Sequence, residues 1–434
     1  LSSKLNSFPT LQQIVHQVYK DKIACKKIVN GALDLNWAEE FQLFYNSQPK
    51  SAPYVKRVRF KKNKTGGKDA GFSDVRPRSD GSEVSETYLI PPIKMENEKK
   101  FDLKCLGTYD AYGQIVKCAP YIMPESIFGM CIHGSIWICL KILENLGMIE
   151  KSHPIPSIET LARGKPYADK QGLLFTQTSR IFRMCKTNAL YIDNEVKPRL
   201  TDDQMALELY AYIESRLPVI LGVDTKYVPW WSSQEYGYHS IVAIGHTMDD
   251  NGKPDGFIFH DESSFPYQDI KIDALMDAWH TAWKGNKKPK KPKREMIVAV
   301  PPEVSLPFNK AHPQFEQILE LSRNYGYSHD SSNDLLVKPI LKGAFETFME
   351  TKSESLYKAM VETKPTKYVW IFYLYDKEVN ERNVETSKGF FVRDATAESE
   401  LRFLYFKDTK QALYQKEDHV YLVRDDRKRK KKLI

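Results

Sequence analysis

The sequence has no uninterrupted apolar run approaching the ~18–20 residues that a membrane-crossing helix needs, so no helical membrane span is expected. Cysteine is sparse, with six in 434 residues: Cys25, Cys105, Cys118, Cys131, Cys139 and Cys185. No pair has the two-residue spacing of a zinc knuckle or redox motif, and a chain this long does not depend on disulfide staples. A reducing, cytoplasmic location is expected, with one or more thiols chemically free. Internal repeats and long low-complexity segments are also lacking. Leu1 to Phe8 lack the charged-then-apolar plan of a secretion signal, and with Leu at position 1 an upstream stretch is expected. What is present is a globular composition. Hydrophobic residues make up 41% and charged residues 28%, enough to bury a sizeable core in two or three domains.

The formal net charge is +8, and it is unevenly placed. Segments 56–68 and 284–294 each carry seven basic residues and no acidic one, and the tail 424–434 carries seven against two acidic. The rest of the chain is therefore net acidic. Such runs attract phosphates or acidic partners, but ordinarily they are solvated loops or frayed ends. Lys284–Lys293 has no aromatic side chain between its charges, so base stacking has no platform there, and nucleic-acid binding is only weakly supported.

The apolar spacing predicts a helix over 9–33 and a strand over 54–60, and the Lys, Gly, Asp and Ser content of 62–84 predicts a loop or linker. Helices are expected at 131–146, stopped by Gly147, and at 202–216, where Thr201 and Gln204 resemble a capping box. Short apolar runs at 217–223, 239–245, 257–261 and 296–300 read as strands, and 271–284 as a helix. Beyond Pro301-Pro302 the pattern predicts helices at 311–325 and 340–362 and strands at 367–375, 388–393, 401–407 and 419–423. The expected organisation is α+β: an N-terminal helix and basic linker (1–95), a central domain (96–302) and a C-terminal α+β domain (303–434) with a basic tail.

Three local signals in the central region carry chemistry. Gly129-Met130-Cys131 opens an apolar helix, and a cysteine at a helix N-terminus is biased toward thiolate by the macrodipole. His239 heads an apolar strand and could accept the thiol proton. Asp261 ends the next strand and could fix the tautomer of His239. Cys139, two turns along the helix, reads as packing. His260 and Asp261 point to opposite faces of a strand, so they do not easily share an ion, and no metal or other cofactor is expected.

This order resembles the papain superfamily: a Cys-headed helix, the Leu217–Val223 strand, a His-headed strand ending at Gly245, and a strand ending at Asp261. It is closest to the bacteriocin-processing (double-glycine leader) peptidases and their stand-alone relatives. The resemblance covers residues 100–302. It implies a papain-like central fold and thiol-dependent hydrolysis of an amide bond in a peptide or protein. Cys131 would be the nucleophile, His239 the general base and acid, and Asp261 the orienting residue. Two features depart from the family. The glutamine that usually stands about six residues before the cysteine is missing from Pro124–Phe128, which leaves Ser126 and the more distant Gln114 as oxyanion-hole candidates. The interval from Cys131 to His239 is also long, at 108 residues. Trp230, Trp231 and Tyr238 are candidates to line a substrate groove, and the C-terminal domain could receive a regulatory protein. Acyl transfer to an amine, as in transglutaminase-like relatives, and an inactive binding module are the alternatives.

Overall fold

The computed structural model describes residues 38–43, 56–61, 69–78, 81–92, 95, 98, 100–111, 114–122, 131–163, 173–195, 199–231, 237–264, 266–279, 293–324, 335–343, 367–376, 387–396, 402–407, 411–416, 419–424 and 429–432. The fold is α+β. The helix expected over 9–33 lies outside the described residues.

β1 (Ala38–Leu43), β2 (Lys56–Lys61), β3 (Asp69–Arg78) and β4 (Gly81–Leu89) form an antiparallel meander. The loop expected over 62–84 is thus corrected: most of its described part is strand. Ser73 and Thr87 lie opposite each other, buried, and the Ser73 hydroxyl donates to Thr87 Oγ1 at 2.9 Å. Polar side chains that satisfy one another inside a sheet leave no apolar alternation to read. Next come β5 (Phe101–Leu103), the two-stranded pair β6 (Gly107–Ala111) and β7 (Gln114–Cys118), and β8 (Pro120–Ile122). β8 pairs with β4, so the first sheet, β1-β2-β3-β4-β8, crosses the boundary expected at residue 95.

α1 (Cys131–Asn145) is apolar on nearly every side, with Ile132, Ile136, Trp137, Leu140 and Leu143 buried. It packs on the central sheet on one side and on β8 on another. Its end is a Schellman motif: Met148 N–H donates to Leu143 O and Gly147 N–H to Glu144 O, both at 3.0 Å, with Gly147 at φ +71°. After α2 (Ile155–Arg163), α3 (Phe175–Met184) and β9 (Asn188–Asp193) comes α4 (Asp202–Glu214). Its capping box is formed as expected, with Gln204 N–H on Thr201 Oγ1 and Thr201 N–H on Gln204 Oε1. β10 (Val219–Asp224), β11 (Tyr238–Met248), β12 (Pro254–His260), β13 (Gln268–Lys271), α5 (Ile272–Ala278) and β14 (Glu295–Val300) complete this unit. The antiparallel order is β13-β12-β11-β10-β14-β9, with β5 added to β11 at Gly245. A Cβ on Gly245 would stand 2.7 Å from Asp102 O, so only glycine admits β5 at that distance. The helix expected over 271–284 ends at Ala278 within the described residues.

α6 (Phe308–Asn324) covers a seven-stranded meander: β15 (Leu335–Gly343), β16 (Tyr368–Asp376), β17 (Gly389–Asp394), β18 (Arg402–Phe406), β19 (Gln411–Lys416), β20 (His419–Arg424) and β21 (Arg429–Lys432). Phe315 stacks on Phe372 at 5.0 Å, and both rings meet Phe391. Two expectations are corrected here. The helix expected from 340 is strand through Gly343, where Pro339 is tolerated because β15 is an edge strand. The basic tail is not simply a frayed end, since Arg429–Lys432 pair with β20. In the second basic run, Arg294 is buried. It pairs with Asp202 at 2.8 Å and donates to Met276 O, so this charge is spent inside the fold.

A buried charge cluster joins the C-terminal sheet to the central unit. Glu214, at the end of α4, hydrogen-bonds His246 of β11 at 2.7 Å and lies 3.1 Å from Lys338 Nζ of β15 and 3.5 Å from Lys104 Nζ. Burial opposes its charge, but the His246 hydrogen bond and the Lys338, His246 and Lys104 charges lower its carboxyl from 4.5 to about 2. A depressed carboxyl stabilises the fold above its ordinary value, and that stability is lost as pH falls from 4.5 toward 2. The expected contribution is about 3 kcal/mol at neutral pH. Urea unfolding of the wild type and Glu214→Gln at a series of pH values checks this. The wild type should lose about 3 kcal/mol more than the variant between roughly pH 5 and 2.

Candidate active site

The topology brings the start of α1, the start of β11 and the end of β12 to one place. Val242 pairs with His260, so the residue after His260 falls beside the His239 end of β11. Ser135 is one helical turn below Cys131 on the same face of α1, and its hydroxyl meets Ser240 Oγ at 3.1 Å, buried. That contact fixes helix against strand, and the next residues along, Cys131 and His239, are hydrogen-bonded to each other. His239 Nε2 bonds Asp261 Oδ1 at 2.8 Å, which leaves Nδ1 as the ring nitrogen available to the thiol. Cys131 is partly exposed, whereas His239 and Asp261 are buried.

Asp261 is saturated with donors. Oδ1 accepts from His239 and from Ser263 N–H at 3.0 Å; Oδ2 accepts the indole N–H groups of Trp230 at 2.6 Å and Trp231 at 2.7 Å. The two tryptophans expected to line a groove therefore hold the acid, and the Trp231 ring also lies 5.1 Å from the His239 ring. Tyr238, about half exposed, is close enough to Cys131 for their charges to interact. Ser126 lies outside the described residues. Gln114 begins β7 opposite Ala111, in the small two-stranded sheet.

The electrostatics favour a thiolate–imidazolium pair. Burial pushes the Cys131 thiol up, but the His239 hydrogen bond and charge, with donation from Ser240 Oγ–H and N–H, bring it below its usual value. For His239, burial disfavours the charged ring, while negative charge on Glu262 or Asp261 and the hydrogen bonds to Asp261 and Cys131 raise it above the ordinary range. Those two carboxyl groups cannot both stay ionised in a dry site. Asp261, with four donors, is held below the usual carboxylate range by the His239 charge and these hydrogen bonds, against its burial. Burial pushes Glu262 well above that range.

Glu262 is marked by no motif in the sequence. Other supports carried no sequence signal, because their role is set by long-range packing. The Tyr121 hydroxyl of β8 sits 3.1–3.3 Å from the carbonyl oxygens of Asp261, Glu262 and Ser264, which share its one O–H, and so clamps the acidic turn to the first sheet. Tyr267 donates to Leu89 O at 2.7 Å and accepts from Ala119 N–H at 3.0 Å. His260 packs between the two tyrosine rings, and burial lowers it to about 3, so it stays neutral.

Two groups of side chains have donor sets that suit a metal. Cys131 Sγ, a His239 nitrogen and a Glu262 oxygen lie within 4.8 Å of one another, as do ligand atoms of Asp102, Glu214 and His246. The second group already holds the ammonium groups of Lys104 and Lys338. No helix among the described residues is long and apolar enough to cross a membrane.

Comparison with protein-family models finds no match, and neither does comparison with curated proteins.

Cys131 should be the reactive thiol among the five described cysteines. Burial raises Cys105, Cys118 and Cys139, and pushes Cys185 up to about 11. Iodoacetamide at pH 6.5, mapped by mass spectrometry, should label Cys131 first. His239→Ala should slow that labelling by at least about tenfold, one pKa unit in thiolate population. Equal labelling of Cys185 and Cys131 would contradict this assignment.

Proposed function

We propose that the protein is a thiol-dependent hydrolase that cleaves an amide bond in a peptide or protein substrate. The observation that carries this reading is the unbroken hydrogen-bonded series Cys131–His239–Asp261, whose acid is tied down by four donors. The Cys131 thiolate attacks the carbonyl carbon, and the first-turn N–H groups of α1, which have no intrahelical partners, face the developing negative charge. Imidazolium His239 passes its proton to the leaving amine as the C–N bond breaks. A thioester on Cys131 remains. Neutral His239 then takes a proton from water, which attacks the thioester and frees the acid. Asp261 stays ionised throughout, holding the ring in one orientation. The resemblance to papain-like peptidases supports the same assignment of the three residues.

An amine could replace water in the second step, since the thioester is the common intermediate. A second reading rests on the donor set Cys131, His239 and Glu262, which suits zinc.

Incubation with a reduced, carboxymethylated protein and a peptide mixture, read by mass spectrometry with and without methylamine, tests these readings. New free carboxyl termini in water support hydrolysis, and methylamides in its presence identify acyl transfer. Cys131→Ala should abolish cleavage, and Asp261→Asn should lower it by about 10²–10⁴-fold through loss of the ring orientation. Activity should survive 1,10-phenanthroline and be lost on alkylation. The opposite pattern favours the metal reading, and full cleavage by Cys131→Ala overturns both.

A further inference from the structure

The sequence lacks the glutamine that papain-like enzymes use as the oxyanion-hole side chain, yet the site contains an acid for which the thiol–imidazole–carboxylate series has no use. Glu262 is 1% exposed. Its Oε1 accepts the Ser263 hydroxyl at 3.0 Å and stands 3.6 Å from His239 Nε2. Its Oε2 is fully buried and has no hydrogen-bond partner among the described residues. A carboxyl oxygen of Glu262 lies within 4.8 Å of Cys131 Sγ. Asp261 already satisfies the imidazole with a shorter bond, so Glu262 is not needed to orient the ring.

We propose that Glu262 is the side-chain donor of the oxyanion hole, its carboxyl O–H hydrogen-bonding the oxygen of the tetrahedral intermediate formed on Cys131. This rests on the thiol reading above. A buried carboxyl with one unpartnered oxygen favours its neutral form, since a second carboxylate beside Asp261 would be both desolvated and repelled. A neutral acid in a dry site donates a strong hydrogen bond to a developing anion, and it does so without moving. As sulfur adds to the carbonyl carbon, the C=O π pair becomes the oxyanion, which accepts from Glu262. The pair returns to the carbonyl when the leaving group departs. The Glu262 proton is shared but not consumed.

Two small probes separate this role from a general effect on the thiol. 4-Nitrophenyl acetate acylates Cys131 through a tetrahedral oxyanion and releases 4-nitrophenolate. Iodoacetamide alkylates the same sulfur by direct displacement of iodide, with no oxyanion. For Glu262→Leu the ratio of acylation to alkylation rates should fall about 100-fold. For Glu262→Gln, whose amide still donates, it should stay within about fivefold of wild type. An unchanged ratio in Glu262→Leu, or an equal fall in Glu262→Gln, overturns the proposal. A crystal structure of the wild-type protein with N-acetylglycinal bound to Cys131 decides the matter should Glu262→Leu not fold. The hemithioacetal oxygen should lie about 2.7–3.1 Å from the Glu262 carboxyl, and an oxygen turned away from Glu262 overturns the assignment. Failure of iodoacetamide to prefer Cys131 in the wild type would instead remove the thiol reading itself.

Discussion

The hydrogen bond from His239 to Asp261, 2.8 Å long and wholly buried, is the contact on which the site depends. A buried imidazolium is costly unless a carboxylate stands beside it, and a buried carboxylate is costly unless donors surround it. Each requirement is met by a different part of the chain. Trp230 and Trp231 come from the loop after β10, Ser263 from the acidic turn, and His239 from β11. With the acid held, the ring stays charged, and a charged ring lowers the thiol at the head of α1. The pair is thus a product of the tertiary fold around Asp261 as much as of the helix that carries Cys131.

Adjacent carboxyl groups shifted in opposite directions make the same point. Asp261 and Glu262 are neighbours in sequence and both are buried, yet one collects four donors and the other keeps a bare oxygen. Environment alone sorts them, holding Asp261 below the usual carboxylate range and pushing Glu262 above it, in the manner by which burial and charge separate paired acids.

The flanking sheets support this arrangement in different ways. The first sheet reaches the acidic turn directly: Tyr121 of β8 holds three of its carbonyls, and Tyr267 ties the following segment back to β4. The C-terminal sheet acts at greater distance. Lys338 of β15 pairs with Glu214, which bonds His246 on β11, the strand that carries His239. Leu341 N–H on Ser215 Oγ and the contact of Trp370 with Tyr212 extend that seam. Both flanks belong to one continuous buried core with the central unit.

Read alone, the amino-acid order determined the parts whose signals are local. Helix α1 and its Gly147 stop, the capping box at Thr201, the strands around His239 and His260, and the candidates Cys131, His239 and Asp261 all follow from spacing and end-residue chemistry within a few positions. Only the tertiary structure decided what depends on distant partners. Strands β3 and β4 are stabilised by Ser73–Thr87 across a hairpin and by β8 some thirty residues on, so their polar composition read as loop. Edge strand β15 carries a proline and borrows its ladder from β16, and the basic tail strand borrows its own from β20. Glu262, Tyr121 and the two tryptophans are ordinary residues in sequence. They acquire their roles from a desolvated cluster drawn from five elements. The energy of a charge or a hydrogen bond is set by what surrounds it in space, and that is not written in the residues beside it in the chain.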